Sequence, residues 1–155
     1  MDLVKSILVP IDFSDYSKGA LKYAVEIAKT FNSKICLIYV IEPVVYPSDF
    51  SMGQVSIPAV DHDSFNRSQD ELKKLAEKEI DSSIEVEVMI KSGKPFVEIN
   101  ECAAEKDIDL IIIATHGHTG VEHLLFGSTA EKVVRKAPCP VLTLREPIKG
   151  YKFNK

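Results

Sequence analysis

An apolar run over residues 108–113, broken only by Asp109, empties into Ala114-Thr115-His116-Gly117, and Gly127-Ser128-Thr129 follows after nine intervening residues. A helical pattern starts near Ala130. A buried strand that ends in a glycine-bearing loop and then a helix start is a tight constraint, because backbone amides can converge there on an anion such as phosphate. The loop is not a P-loop, since no Gly-Lys-Ser/Thr follows. Nor is it the dinucleotide G-x-G-x-x-G turn, which sits early in its fold and has tighter spacing.

The rest of the chain supplies the frame for that loop. Residues 7–11 (Ile-Leu-Val-Pro-Ile) and 35–41 form continuous apolar runs, as strands covered on both faces should. Residues 85–90 alternate in their first half, which places them at a sheet edge with one wetter face. Residues 109–114 and Val141–Leu144 are the remaining strands. Helical stripes lie between them: Ala20, Ala24, Ile27, Ala28 and Phe31 after an N-cap at Ser14, then Leu72, Leu75, Ala76 and Ile80. A third helix opens near Pro95, and a fourth runs from about Ser128 to Lys136, where Ser128-x-x-Glu131 reads as a capping box. Strands alternating with helices give an α/β fold, a single doubly wound five-stranded parallel sheet with helices on both faces. Ligands bind such sheets beyond the carboxyl ends of the strands, at the topological switch point. Asp12, Val40 and the 114–117 loop all lie at strand carboxyl ends and can share one crevice.

Size and charge narrow the function classes. The 155 residues suit one domain, expected over 1–146, with 147–155 as a flexible C-terminal tail. A formal charge of −4 disfavours nucleic acid as the main partner, and no apolar run approaches membrane-spanning length. Strand-like sequence begins almost at once, so no signal peptide is expected. Cys36, Cys102 and Cys139 are odd in number and widely spaced, which fits a reduced, cytoplasmic protein better than a disulfide or zinc framework. His116, His118 and His123 lack the spacing and fixed acidic partner of a metal site. Residues 42–61, with Pro43, Pro47, Gly53 and Pro58, form a long connection of the kind used as a lid.

Taken in order, several segments resemble the universal stress protein family over nearly the whole chain. They are Ile7-Leu8-Val9-Pro10-Ile11-Asp12-Phe13-Ser14, Val40-Ile41-Glu42-Pro43, Gly93-Lys94-Pro95, Ala114-Thr115-His116-Gly117-His118-Thr119-Gly120, Ser128-Thr129-Ala130-Glu131-Lys132-Val133-Val134 and Ala137-Pro138-Cys139-Pro140-Val141-Leu142. The resemblance implies a Rossmann-like fold and an adenine-nucleotide site. It also implies a homodimer paired through the last strand, Val141–Leu144. ATP-binding members carry G-x-x-G, nine residues, then G-Ser/Thr; Gly117, Gly127 and Ser128 match, and Ala114 departs at the first position. Alanine serves there if its φ is strand-like.

The expected nucleotide contacts are Pro10, Ile11, Asp12, Val40, Ala114, Thr115, Gly117, His118, Gly127, Ser128 and Thr129. Asp12 would lie beneath the nucleoside, the Val40 backbone would read the adenine, and Gly117 and Gly127 would let amides approach phosphate while tolerating positive φ. The ligand would be ATP, AMP or ADP, with Mg2+ or Mn2+ bridging the phosphates. His118 replaces the family's frequent Arg or Lys, so phosphate affinity should strengthen below about pH 6.5. The expected role is a stress-response sensor or adaptor with an unidentified protein partner rather than a fast enzyme. The alternatives are a dimeric interaction protein without nucleotide, or a slow ATP hydrolase.

Overall fold

The structure, a computed structural model, describes residues 3–44, 61–117 and 126–145. The chain order is β1 (Ser6–Pro10), α1 (Asp15–Phe31), β2 (Lys34–Ile41), α2 (His62–Glu79), β3 (Val86–Ser92), α3 (Pro95–Glu105), β4 (Leu110–Ala114), α4 (Ser128–Lys136) and β5 (Val141–Leu144). The strands form one sheet in the order β3-β2-β1-β4-β5, and every neighbouring pair is parallel. The first three strands step outward to one edge; the chain then crosses back so that β4 pairs with β1. The order therefore reverses between β1 and β4, which opens a crevice at their carboxyl ends.

The central strand explains its own composition. Ile7, Leu8 and Val9 are fully buried, with Ile7 and Val9 in a core beneath α1 and α2 and Leu8 in a second core beneath α3 and α4. A strand covered on both faces has no wet side, so its run cannot alternate. β3 forms the sheet edge expected from its alternation.

Two details of the helices differ from the sequence reading. In α1 the buried face is Ser17, Ala20, Leu21, Ala24, Val25 and Ala28, while Phe31 is 47% exposed and Ile27 only partly buried. The small Ala20-Ala24-Ala28 ridge lets the helix approach the sheet closely, and Leu21 and Val25 fill the space beside it, turning Phe31 outward. In α4 the N-cap is Gly127, no side chain caps the helix, and Ser128 is its first residue. The Ser128–Glu131 capping box is therefore not formed.

Asp109, the interruption in the fourth apolar run, has a structural task. Its Oδ2 accepts the amides of Lys5 and Ser6 at 2.9 Å each and the Ser6 hydroxyl at 3.1 Å, tying the start of β1 to the entry of β4. Burial alone would raise this carboxyl, but the amide and hydroxyl donors outweigh it and hold the group below the usual carboxylate range. A carboxylate with a depressed folded pKa contributes stability above its unfolded value near pH 3.9, and that contribution drains as pH falls through the folded value. Asp109→Asn, which keeps one acceptor but no charge, should cost about 0.5–1.5 kcal/mol in urea unfolding at pH 7. The difference should shrink as pH falls below about 3.9 and continue to shrink as pH passes through the folded value.

The thiols are spectators. Cys36 and Cys102 are buried and Cys139 half-buried, all free. Burial, aided by Glu87, pushes the Cys36 thiol up to about 11, far from thiolate reactivity at neutral pH.

Candidate functional site

At the carboxyl ends of β1, β2 and β4 lies a cavity of about 440 Å³. Pro10, Ile11 and Asp12 enter it from β1, Val40 from β2, Ala114, Thr115 and Gly117 from β4, and Gly127, Ser128 and Thr129 from the start of α4. All expected contacts except His118 thus meet in one crevice; His118 lies outside the described residues, as does most of the expected lid. The cavity also takes in Ser17, Tyr39, Glu42, Pro95 and His116, which the sequence reading did not assign to it.

The β1 exit is a hydrogen-bonded turn. Asp12 Oδ1 accepts the Ser14 amide at 2.9 Å and the Ser14 hydroxyl, an Asx-type turn. Ser14 caps α1, its Oγ accepting the Ser17 amide at 3.2 Å. The Asp12 amide donates to Ser17 Oγ at 3.3 Å, and Ser17 Oγ donates to the Ser14 carbonyl at 3.0 Å. Between them Phe13 is held at φ 63°, a left-handed conformation rare for an aromatic residue. Its ring packs edge-on against Tyr39 at 5.0 Å, on the same strand end that carries Val40. Strain held in place by its surroundings tends to gather at functional sites.

The β4–α4 connection closes on itself. Thr115 is buried; its amide donates to the Leu144 carbonyl at 2.9 Å, and its own carbonyl accepts the Gly127 amide at 2.6 Å. The loop therefore starts and ends at one fixed point. Ala114 sits inside β4 and is not among the residues with positive φ, so the departure from glycine is tolerated by ordinary strand backbone. Neither glycine uses the positive φ that was expected of it. Gly127 has φ −65°, and Gly117 is not among the positive-φ glycines. What they provide is close approach: a Cβ on Gly117 would lie 2.5 Å from Asp12 Oδ2, and one on Gly127 would lie 2.9 Å from the Thr115 carbonyl oxygen.

Thr115 Oγ1 lies 3.0 Å from His116 Nδ1, and the His116 ring sits 5.6 Å from the Tyr16 ring, which joins the loop to the first turn of α1. Among the described residues, no cluster of three or more His, Cys, Asp or Glu side chains could hold a metal ion.

Strand order, switch-point crevice and a helix start facing that crevice define a doubly wound α/β protein. The model of the universal stress protein family matches residues 4–145, and the chain belongs to that family. Among relatives, the universal stress protein MJ0531 of Methanocaldococcus jannaschii is 36% identical, over 96% of this chain and 86% of its own length. The solved universal stress protein UspA from Lactobacillus plantarum superposes with a TM-score of 0.70 at 27% identity, covering 92% of this chain and 98% of that one. The Archaeoglobus fulgidus universal stress protein in complex with dAMP shares the fold at a TM-score of 0.57 and 19% identity, over 92% and 99% of the two chains.

Proposed function

We propose that this universal stress protein binds an adenine nucleotide in the switch-point cavity and acts as a nucleotide-responsive stress sensor or adaptor. The observation that carries the reading is the convergence of Asp12, Val40, Gly117, Gly127 and Ser128, from separate segments, on one cavity at the carboxyl ends of parallel strands. In this reading the Asp12 carboxylate holds the nucleoside, and the Val40 backbone reads the base edge. The amides at the start of α4 take phosphate, as helix N-termini do.

Fast turnover does not fit. Hydrolysis needs charge neutralisation at the γ-phosphate and a positioned base, and residues 107–131 contain no Lys or Arg. The setting is cytoplasmic in this reading; among the described residues, no helix is long and apolar enough to cross a membrane. A second copy of the chain would cover the outer edge of β5, where Leu142 is 36% exposed. Sedimentation showing only monomer at micromolar concentration would remove that element.

A thermal-shift titration with ATP, AMP and GTP, with and without Mg2+, tests the central claim. Ligand at about one hundred times its Kd should add about 2.7 kcal/mol to stability, a plain rise in Tm for adenine nucleotides and little for GTP. No shift with any of them, for protein free of co-purified nucleotide, would favour a dimeric interaction protein that does not use the cavity.

A further inference from the structure

Two long stretches of the sequence that carry cavity-lining residues hold no permanent cations. No Lys or Arg occurs in residues 35–66 or in residues 107–131, the stretches that contain the β2 exit and the whole β4–α4 connection. Lys18 and Lys94 neighbour the lining residues Ser17 and Pro95 in sequence, yet neither lines the cavity. Lys132 and Lys136 of α4 hold their ammonium groups over the Phe96 ring, at 5.1 and 5.3 Å from its centre.

Carboxylates, by contrast, are present. Asp12 and Glu42 both line the cavity, and Asp12 Oδ2 lies directly against Gly117. Their field reaches Tyr39, whose phenol is pushed up by burial first and then by the negative charges of Glu71, Asp12 and Glu42. For an anion the walls offer neutral donors. The first hydrogen bond inside α4 runs from the Glu131 amide to the Gly127 carbonyl, and no side chain caps the helix. The amides of Ser128, Thr129 and Ala130 therefore have no acceptor within the helix. A helix start carries about half an elementary charge. That suits one phosphate group, but it cannot offset a row of them beside carboxylates in a crevice that focuses the field.

We infer that the cavity discriminates by ligand charge: it accepts adenosine carrying one phosphate, open or cyclic, unaided, and accepts a triphosphate only as its complex with a divalent cation. This rests on the adenine-nucleotide reading above and specifies which members of that class the site takes. Mg2+ supplies the charge that the protein does not, and it travels with the ligand.

Calorimetric titration of the full chain with adenosine, AMP, cyclic AMP and ATP, each in EDTA and in excess Mg2+, tests the inference. In EDTA, AMP or cyclic AMP should bind at least about tenfold more tightly than ATP, since unscreened like charges in one site cost more than the 1.4 kcal/mol that a tenfold change represents. Mg2+ should recover most of the deficit for ATP and change AMP little. Added NaCl should leave ATP affinity in EDTA unchanged or strengthen it, because screening weakens repulsion; a site lined by cations responds in the opposite sense. Glu42→Gln, checked for an unchanged Tm, should narrow the gap between AMP and ATP several-fold. ATP binding in EDTA as tightly as AMP, and weakening with salt, would overturn the inference while leaving the nucleotide reading intact. If neither adenosine nor any nucleotide binds, the parent reading fails and takes this one with it.

Discussion

Gly127→Val is expected to lower stability by about 1–3 kcal/mol, a fall in Tm of roughly 3–10 °C, and to abolish nucleotide binding at concentrations that saturate the wild type. The cause is packing rather than torsion. Gly127 has φ −65°, which any residue adopts, but its amide donates to the Thr115 carbonyl at 2.6 Å and a Cβ would sit 2.9 Å from that same oxygen. Thr115 cannot retreat, because its own amide is bonded to Leu144 of β5. Valine must therefore push the start of α4 away from β4, breaking the closure of the loop and moving the amides proposed to hold phosphate. Gly19→Ala is the matched control. Gly19 lies within α1 with nothing within 4 Å of a built Cβ, so alanine there should add about 0.5–1 kcal/mol through helix propensity and leave binding intact. Unfolding curves and a nucleotide titration of both variants check the pair; wild-type binding by Gly127→Val would mean that the α4 amides are not part of the site.

The contrast between the two glycines and the sequence reading shows where a one-dimensional argument stops. That a strand ends at Ala114 and a helix starts at Ser128 was legible from the apolar run and the glycine spacing alone. That the glycines also let the protein pack against itself was not, because close approach depends on what lies across the turn: Asp12 for Gly117, the Thr115 carbonyl for Gly127. The capping box failed for a related reason. Glycine at the N-cap, held by the Thr115 carbonyl just past β4, leaves Ser128 inside the helix, and no local rule can see that partner.

The sheet was more legible than the helix faces. Unbroken runs in β1, β2 and β4 and the alternation in β3 report directly whether a strand has one covered face or two, and the observed order bears this out. The stripe of α1 was assigned partly to Ile27 and Phe31, because helical spacing alone does not choose between adjacent ridges. The sheet chose the ridge with alanines in it. Tyr39, Glu42 and His116 went unassigned for the same kind of reason. Spacing names the strand ends that reach the crevice, but not which neighbouring side chains turn into it.

Asp12→Ala is expected to weaken binding of both adenosine and AMP by at least about tenfold, and by similar factors, because the proposed contact is to the nucleoside and not to the phosphate. The same change removes the acceptor for the Ser14 amide and hydroxyl, loosening the turn that holds Phe13 at φ 63° and costing about 1–3 kcal/mol. Both consequences have one origin, so a companion variant separates them. Ser14→Ala keeps the carboxylate and its approach to Gly117 but loses the N-cap of α1, worth about 0.5–2 kcal/mol. It should approach Asp12→Ala in stability while retaining adenosine binding to within a few-fold. If Ser14→Ala loses binding as completely as Asp12→Ala, the carboxylate acts only by shaping the turn. If Asp12→Ala binds adenosine as the wild type does, the nucleoside does not rest on this residue at all. The proposed geometry requires the remaining result, with stability falling in both variants and binding falling in one.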